Sequence, residues 1–225
     1  MQQVKRWLAG PYMTVGLIII MVLVYGAETV AGGASNSNVL IEFGAKVNVL
    51  IQDGQWWRFI TPVFLHAGFE HLLLNMVTLY FLGYQIEAIF GHWRFLGIFL
   101  LSGIGGNFAS FAFNPNAISA GSSTAIFGLF GAFLMLGESF WENPYIRQMT
   151  KTFLLFIAMN LVFGFLSTGI DLAGHIGGLI IGFLAGYIVG VPKIGQISFI
   201  KRIFFCNRYH SDDYWAILLW HYVVK

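Results

Sequence analysis

A glycine and two adjacent hydroxyl side chains stand before a long apolar segment in the middle of the chain. Residues 120–128 include Gly121, Ser122 and Ser123. A serine hydroxyl becomes a useful nucleophile only when a base accepts its proton, and a neutral imidazole is the usual base near pH 7. His175, at the start of another apolar segment, is the candidate base. On chemistry alone, Ser122 and Ser123 are equivalent candidates for the nucleophile.

Two further polar side chains share one face of a predicted helix. His71 and Asn75 are four residues apart, so a helix places them one turn from each other. The tetrahedral intermediate of acyl transfer needs hydrogen-bond donors aimed at its oxyanion. We expect three donors here: the His71 ring, the Asn75 amide, and the Ser123 backbone N–H at a helix N-terminus. Gly121 permits a tight backbone bend before the serine.

Asp171 lies four residues before His175, and two roles are open to it. It could orient the imidazole as the third member of a triad, or it could cap the N-terminus of the helix; we prefer the cap. Hydrolysis by a metal or by a pair of aspartates fits less well, because the chain lacks the His-Glu-x-x-His zinc sequence and no predicted helix interior contains an aspartate. A zinc ion bound by His66, His71 and a third ligand stays an alternative. We expect neither a metal nor a cofactor.

The composition predicts a membrane protein. Hydrophobic residues make up 57% of the 225-residue chain and charged residues only 10%, against about 25% charged in soluble domains. Several apolar segments approach the roughly 20 residues that a spanning helix needs. The basic residues are scattered, so no nucleic-acid partner is expected. Cys206 is the only cysteine, which excludes an intrachain disulfide.

Six apolar segments predict an all-α bundle of six transmembrane helices. They cover about residues 11–26, 69–89, 95–113, 122–139, 152–166 and 173–191. The basic start of the chain leaves a cleaved signal peptide as an alternative for the first segment. We expect a short cytoplasmic N-terminus (1–10), a six-helix membrane domain (11–192) and a cytoplasmic tail (193–225) that is interfacial or disordered.

Small residues at four-residue spacing predict close helix packing. Such residues let two backbones approach each other in a membrane. The sixth segment carries one complete face of them: Gly174, Gly178, Gly182 and Gly186.

The distribution of Lys and Arg predicts the topology. Alternating helices place Lys46 and Arg58 on one side, and ten basic residues on the other: Lys5, Arg6, Arg94, Arg147, Lys151, Lys193, Lys201, Arg202, Arg208 and Lys225. The positive-inside rule then places both termini in the cytoplasm. Ser123, His175 and the His71–Asn75 pair would all lie toward the extracytoplasmic face.

Four motifs between residues 57 and 186 resemble those of the rhomboid intramembrane serine proteases. They are Trp57-Arg58, His66-x4-His71-x3-Asn75, Gly121-Ser122-Ser123-Thr124 and Gly174-His175-Ile176-Gly177-Gly178. The resemblance selects Ser123 over Ser122. The sequence departs from the family pattern at Thr124, where many members have glycine. An added Cβ next to the nucleophile would narrow the site.

The resemblance implies a function and further site residues. It implies a Ser123–His175 dyad that needs no acid, with His71, Asn75 and the Ser123 N–H holding the oxyanion. Phe127 would pack on the imidazole, and Glu87 would help hold the first loop. The implied substrates are single-pass transmembrane proteins in the cell membrane, cut at small residues beside helix-weakening sequence.

Two other functions stay open. A rhomboid-like protein without catalysis could bind membrane clients, although such a protein has no chemical need for Ser123 and His175. A small transporter could use the polar cluster as a gate, but its polar residues would lie near the bilayer midplane. The sequence does not indicate the oligomeric state.

Overall fold

A computed structural model describes residues 10–167, 169–195 and 197 of the chain. The expectations for residues 1–9, for most of the tail (196 and 198–225) and for Cys206 lie outside the described residues. The division of the chain into three parts therefore stays a prediction.

The described residues form eight α-helices and two short 3₁₀ turns, with no strand. The α-helices are α1 (Tyr12–Val30), α2 (Ser37–Glu42), α3 (Asn48–Gln52), α4 (Phe69–Phe90), α5 (His92–Phe113), α6 (Ser123–Ser139), α7 (Pro144–Leu166) and α8 (Leu172–Val189). Five of these, α1, α4, α5, α7 and α8, are long and apolar enough to cross a membrane, and α6 is a shorter apolar helix. The predicted all-α membrane bundle is confirmed.

Helix α6 is the centre of the bundle. Most of its 17 residues are buried, and α8 lies directly against its backbone. A Cβ on Gly178 would stand 2.0 Å from the Thr124 carbonyl oxygen, and one on Gly182 would stand 1.9 Å from that of Gly128. Since no side chain fits at such distances, the glycine face of α8 sets how closely the two helices approach.

Gly174 and Gly186 continue this contact at the two ends of α8. Cβ atoms there would lie 3.0 Å from the Thr124 side chain and 2.6 Å from that of Met135. The four glycines therefore form one continuous face against α6. This packing fixes the start of α8 beside the start of α6.

Three helix boundaries differ from the predicted ones. Helix α1 ends at Val30 rather than near residue 26. Helix α7 begins at Pro144 rather than near residue 152, because Asn143 caps it by accepting from the N–H groups of Tyr145 and Ile146 at 3.0 and 3.2 Å. Proline suits a first turn, where its missing N–H costs nothing. Helix α5 begins at His92, so the predicted turn over residues 91–94 shrinks to Gly91, whose φ is +84°.

The loop between α1 and α4 folds around Arg58. The Arg58 guanidinium donates to the carbonyl oxygens of Ile41 and Ala45, both at 2.8 Å, and to the Gln55 side chain at 2.7 Å. Burial lowers the pKa of Arg58, and these three acceptors compensate the buried charge. Trp57 beside it is half exposed, as expected of an interfacial side chain.

The expectation that Glu87 holds this loop is wrong. Glu87 lies near the other end of α4, where its carboxylate accepts from the N–H groups of Met13 and Thr14 at 3.0 and 2.8 Å. It also binds the Thr14 hydroxyl at 2.6 Å and His92 Nδ1 at 2.5 Å. An anion at a helix N-terminus satisfies free N–H groups, so Glu87 holds the beginning of α1.

Candidate active site

The hydroxyl of Ser123 meets the imidazole of His175. Ser123 is the first residue of α6, and His175 lies in the first turn of α8. His175 Nε2 stands 2.8 Å from Ser123 Oγ, which is hydrogen-bond distance. The contact follows from the close packing of α6 on α8, which brings the N-termini of both helices to the same end of the bundle.

The ring of His175 is held by Phe127, one turn after Ser123 on α6. The two rings stack with centroids 4.3 Å apart and planes inclined by 11°. An aromatic face so placed fixes the orientation of the imidazole and attracts it more strongly when it is protonated. Among the described residues, His175 Nδ1 has no hydrogen-bond partner.

Asp171 caps α8 and does not contact His175 Nδ1. Its carboxylate accepts from the Gly174 N–H at 3.2 Å and from the Ser119 hydroxyl at 2.6 Å. The preferred interpretation of Asp171 as a helix cap is confirmed. The imidazole and the serine therefore form a pair rather than a triad in this geometry.

The two serines have different partners. Ser122 is fully buried, and its hydroxyl lies 3.3 Å from His66 Nε2. Burial, with a smaller contribution from the charge of His71, lowers the pKa of His66 to about 3, so its ring is neutral near pH 7. Ser122 and His66 thus form a buried polar contact, whereas Ser123 lines the cavity described below.

Gly121 lies directly against the ring of His71. Its φ is +132°, and a Cβ there would stand 2.6 Å from His71 Cε1 and 2.8 Å from Nε2. The Gly121 N–H donates to the Pro62 carbonyl oxygen at 2.8 Å. Glycine is required here both by the backbone angle and by the close approach of the histidine.

Asn75 retains a donor for a ligand. Its Nδ2 donates to the His71 carbonyl oxygen at 2.9 Å within α4. A side-chain amide has two N–H donors, so one hydrogen remains for the cavity. The Ser123 N–H, as the first of α6, has no acceptor within its own helix. Asn75, Ser123 and His71 line the same cavity.

A cavity of about 1070 Å³ opens onto these groups. Ser123, His175, His71 and Asn75 all line it. It continues along α4 and α7, where Phe81 and Phe153 are among its walls. Its size and mixed polar and apolar lining suit an extended peptide or a helix end.

Thr124 lines this cavity next to Ser123. Its side chain is buried and packs toward glycines on the neighbouring helices, since Cβ atoms at Gly106 and Gly174 would lie 2.7 and 3.0 Å from it. The small residues of α5 and α8 make room for the threonine. The expected narrowing of the site by Thr124 stays a prediction.

Trp57, Arg58 and Glu87 lie outside this group of side chains, in the loop and at the far end of α4. The rings of His66 and His71 lie 5.4 Å apart. Within the described ranges, no three His, Cys, Asp or Glu side chains gather as a metal site would require. The zinc alternative thus lacks a third ligand in this part of the chain.

Comparison with known proteins identifies the family. The model of the Rhomboid domain matches residues 53–192, which contain all the side chains that line the polar end of the cavity. The chain belongs to the rhomboid family.

This rhomboid is similar to proteins from three organisms, two of which are named as proteases. It is 42% identical over 193 residues to the rhomboid protease GluP of Bacillus subtilis, which covers 86% of this chain and 37% of GluP. It is 37% identical over 156 residues to rhomboid-like protease 1 of Toxoplasma gondii, covering 68% and 53% of the two chains. It is 34% identical over 165 residues to RHOMBOID-like protein 5 of Arabidopsis thaliana, covering 71% and 52%. This rhomboid thus spans roughly one third to one half of these relatives.

One group near the site of this rhomboid was not anticipated from the sequence. From the sequence, Lys46 is only a charged residue in a predicted loop. In the structure it is fully buried, and its backbone pairs with that of Ser119. A lone lysine in a mostly uncharged segment was the available signal. Distinguishing it from an ordinary surface lysine requires the fold.

Proposed function

We propose that this rhomboid is an intramembrane serine endopeptidase that cleaves transmembrane segments of other membrane proteins. The observation that carries the proposal is the 2.8 Å contact between Ser123 Oγ and His175 Nε2, at the polar end of a cavity among apolar helices. Sequence similarity to proteases supports the same reaction class.

The reaction begins with proton transfer from Ser123 Oγ to His175 Nε2 as the oxygen attacks the scissile carbonyl carbon. The carbonyl oxygen becomes an oxyanion, which accepts hydrogen bonds from the Ser123 N–H, the Asn75 amide and the His71 ring. Stacking of Phe127 on His175 supports the imidazolium form in this step.

The second half of the reaction releases the products. His175 returns its proton to the leaving amine, so the peptide C–N bond breaks and an acyl-Ser123 ester remains. A water molecule, deprotonated by the same imidazole, then attacks the ester and frees the serine. His175 thus serves first as base and then as acid, with no carboxylate contact to its Nδ1.

The substrates that we propose are single-pass membrane proteins with small residues beside a weak helix. The cavity runs between α4 and α7, which are among the spanning helices. A peptide must be extended for its carbonyl carbon to approach Ser123, and a substrate helix that unwinds easily lowers that cost.

The proposed topology rests on charge. Both termini would be cytoplasmic and the dyad would lie toward the extracytoplasmic face of the cell membrane, because Lys46 and Arg58 are the only basic residues assigned to that side. The proposed membrane domain is 11–192, with residues 193–225 as a cytoplasmic tail.

The test compares two adjacent serines. We expect Ser123→Ala to abolish cleavage of a single-pass model substrate in proteoliposomes, because the nucleophile is lost. Ser122→Ala should retain most of the activity, since its hydroxyl contacts only His66. Labelling by a fluorophosphonate probe should require Ser123. Equal residual activity in the two variants would contradict the assignment.

The same assays address the alternatives. A protein that only binds clients would leave the probe unreacted and the substrate intact. A transporter would show substrate flux that Ser123→Ala does not change. The position of the polar side chains, together at the N-terminal ends of α4, α6 and α8, does not favour a gate halfway along the bundle.

A further inference from the structure

Lys46 places a positive charge inside the protein, close to the end of α5. Its side chain is 0% exposed. The ammonium donates to the carbonyl oxygens of Ser110, Asn114 and Ala117 at 3.3, 2.8 and 3.3 Å. An ammonium has three N–H donors, so these three acceptors satisfy it completely. The carbonyls at a helix C-terminus have no partner within the helix and attract cations.

The backbone of Lys46 holds the segment that leads to the nucleophile. The Lys46 N–H donates to the Ser119 carbonyl oxygen at 2.9 Å, and the Ser119 N–H donates back to the Lys46 carbonyl oxygen at 3.1 Å. Residues 114–119 connect α5 to Gly121 and Ser123. Lys46 therefore fixes this connection from the loop side by four hydrogen bonds, and a fifth joins its ammonium to Ser110 in α5.

Asp171 holds the same connection from the opposite side. Its carboxylate accepts from Asn114 Nδ2 at 3.3 Å and from the Ser119 hydroxyl at 2.6 Å, besides capping α8. Burial raises its pKa, but hydrogen bonds from Ser110, Ser119, Gly174 and Asn114 outweigh burial and lower the pKa below its ordinary value. The group is therefore an anion near neutral pH.

The two charges compensate each other without direct contact. Burial lowers the pKa of Lys46, and the field of Asp171 opposes that shift. Between them, residues 114–119 direct carbonyl oxygens toward the cation and side-chain donors toward the anion. Since Asp171 also begins the helix that carries His175, the connection before Ser123 and the helix of His175 are joined through one polar network.

We infer that Lys46 and Asp171 are positioning residues that jointly hold Ser123 and His175 in register. Neither touches the reacting atoms. The inference rests on the proposed peptidase function, and it goes beyond it by assigning the alignment of the dyad to a lysine in the loop between α1 and α4. Loss of either charge leaves the other buried without its counter-charge.

The test uses two variants that change charge with little change of shape, in the full chain in detergent and in proteoliposomes. Lys46→Met removes the cation, and Asp171→Asn removes the anion while keeping a residue that caps helices equally well. We expect each to slow probe labelling of Ser123 and to lower kcat about tenfold or more, because small displacements of reacting groups are costly. KM should change little in Lys46→Met, since Lys46, unlike Asp171, does not line the cavity.

Asn48→Ala is the matched control. Asn48 Nδ2 donates to the Phe111 carbonyl oxygen at 2.8 Å, so it ties the same loop to the same end of α5 without contacting residues 114–119. We expect its labelling rate to remain close to that of the wild type. Equal slowing in Asn48→Ala and Lys46→Met would overturn the inference, because the loop attachment alone would then matter.

The double variant Lys46→Met/Asp171→Asn tests the coupling of the two charges. It should be less impaired than the product of the two single effects, because no uncompensated charge remains. Strict multiplication of the single effects would contradict a joint role.

Hydrogen exchange separates this inference from the proposed function, because it needs no activity. Amides of residues 117–123 should lose protection in Lys46→Met but not in Asn48→Ala. Unchanged exchange would overturn the inference even if the wild type cleaves substrate. A wild type that is not labelled at Ser123 would instead refute the peptidase proposal, while the exchange result still decides the role of Lys46.

Discussion

Replacement of Gly121 by alanine would test whether the backbone before Ser123 must be a glycine for catalysis or only for folding. The added Cβ would lie 2.6 Å from His71 Cε1, whereas carbon atoms in contact prefer about 3.5 Å or more. Either the ring of His71 or the backbone beside Ser123 must therefore move by about 1 Å. A displacement of that size at a reacting group costs on the order of 100-fold in rate.

The backbone angle adds a separate cost to the same substitution. At a φ of +132°, a residue with a Cβ is strained by about 1–3 kcal/mol. Gly33→Ala is the control for this part, because Gly33 has a φ of +103° and no atom within 4 Å of its ideal Cβ position. The control therefore carries the strain without the collision with His71.

The assay measures kcat/KM on a transmembrane substrate and the thermal unfolding midpoint in the same detergent. Both variants should unfold at lower temperature than the wild type, and Gly121→Ala by the larger amount, because the collision with His71 adds to the backbone strain. Only Gly121→Ala should lose about two orders of magnitude in kcat/KM, for the geometric reason given above. An equal loss of kcat/KM in both variants, or a normal kcat/KM in Gly121→Ala, would refute the claim that the contact between Gly121 and His71 matters for catalysis.

Two further predictions concern stability and pH. Gly182→Ala should destabilise the fold strongly, because its Cβ would lie 1.9 Å from the Gly128 carbonyl oxygen. The control Gly97→Ala has no atom within 4 Å of its Cβ and should leave the unfolding midpoint equal or higher. Equal midpoints for the two variants would show that α6 and α8 are not in close contact. For Asp171, the folded state binds its proton less tightly than the unfolded state, so its contribution to stability is present above its ordinary pKa of about 4 and is lost as the pH falls through the lower folded value. The unfolding midpoint of the wild type should accordingly fall more steeply below about pH 4 than that of Asp171→Asn, and parallel curves would contradict the hydrogen bonds to this carboxylate.

The sequence predicts those features of the fold that depend on spacing within one helix. The glycines at four-residue intervals in α8 imply a close neighbour, and the hydropathy of the long segments implies spanning helices. The position of Asp171 before an apolar helix implies a cap. Each of these signals is local, so it can be recognised without knowledge of the tertiary structure.

Helix starts in polar segments are harder to predict. The segment 141–151 contains charged residues and reads as a loop, but Asn143 and Pro144 are a cap and a first-turn residue that begin α7 two turns earlier. Hydropathy does not register such signals, because they act through hydrogen bonds of the first turn rather than through burial.

The partners of isolated charged residues depend on the tertiary structure. Glu87 resembles a residue expected to support the first loop, yet the end of α4 at which it lies faces the beginning of α1. Lys46 is one of two basic residues predicted for its side of the membrane. Its contacts are with carbonyl oxygens more than sixty residues away along the chain. Spacing along the chain carries no information about such contacts.

The length of α6 has a consequence for where water is found. A helix of 17 residues extends about 26 Å, a few ångströms less than the roughly 30 Å hydrocarbon layer of a typical bilayer. Its two ends therefore cannot both reach the headgroups. In the proposed topology, with the other end of α6 at the cytoplasmic surface, a dyad at its first residue would be recessed within the membrane. The proposed hydrolysis would then depend on water in the cavity beside Ser123, whose volume of about 1070 Å³ limits how much of a bound chain can be hydrated at once.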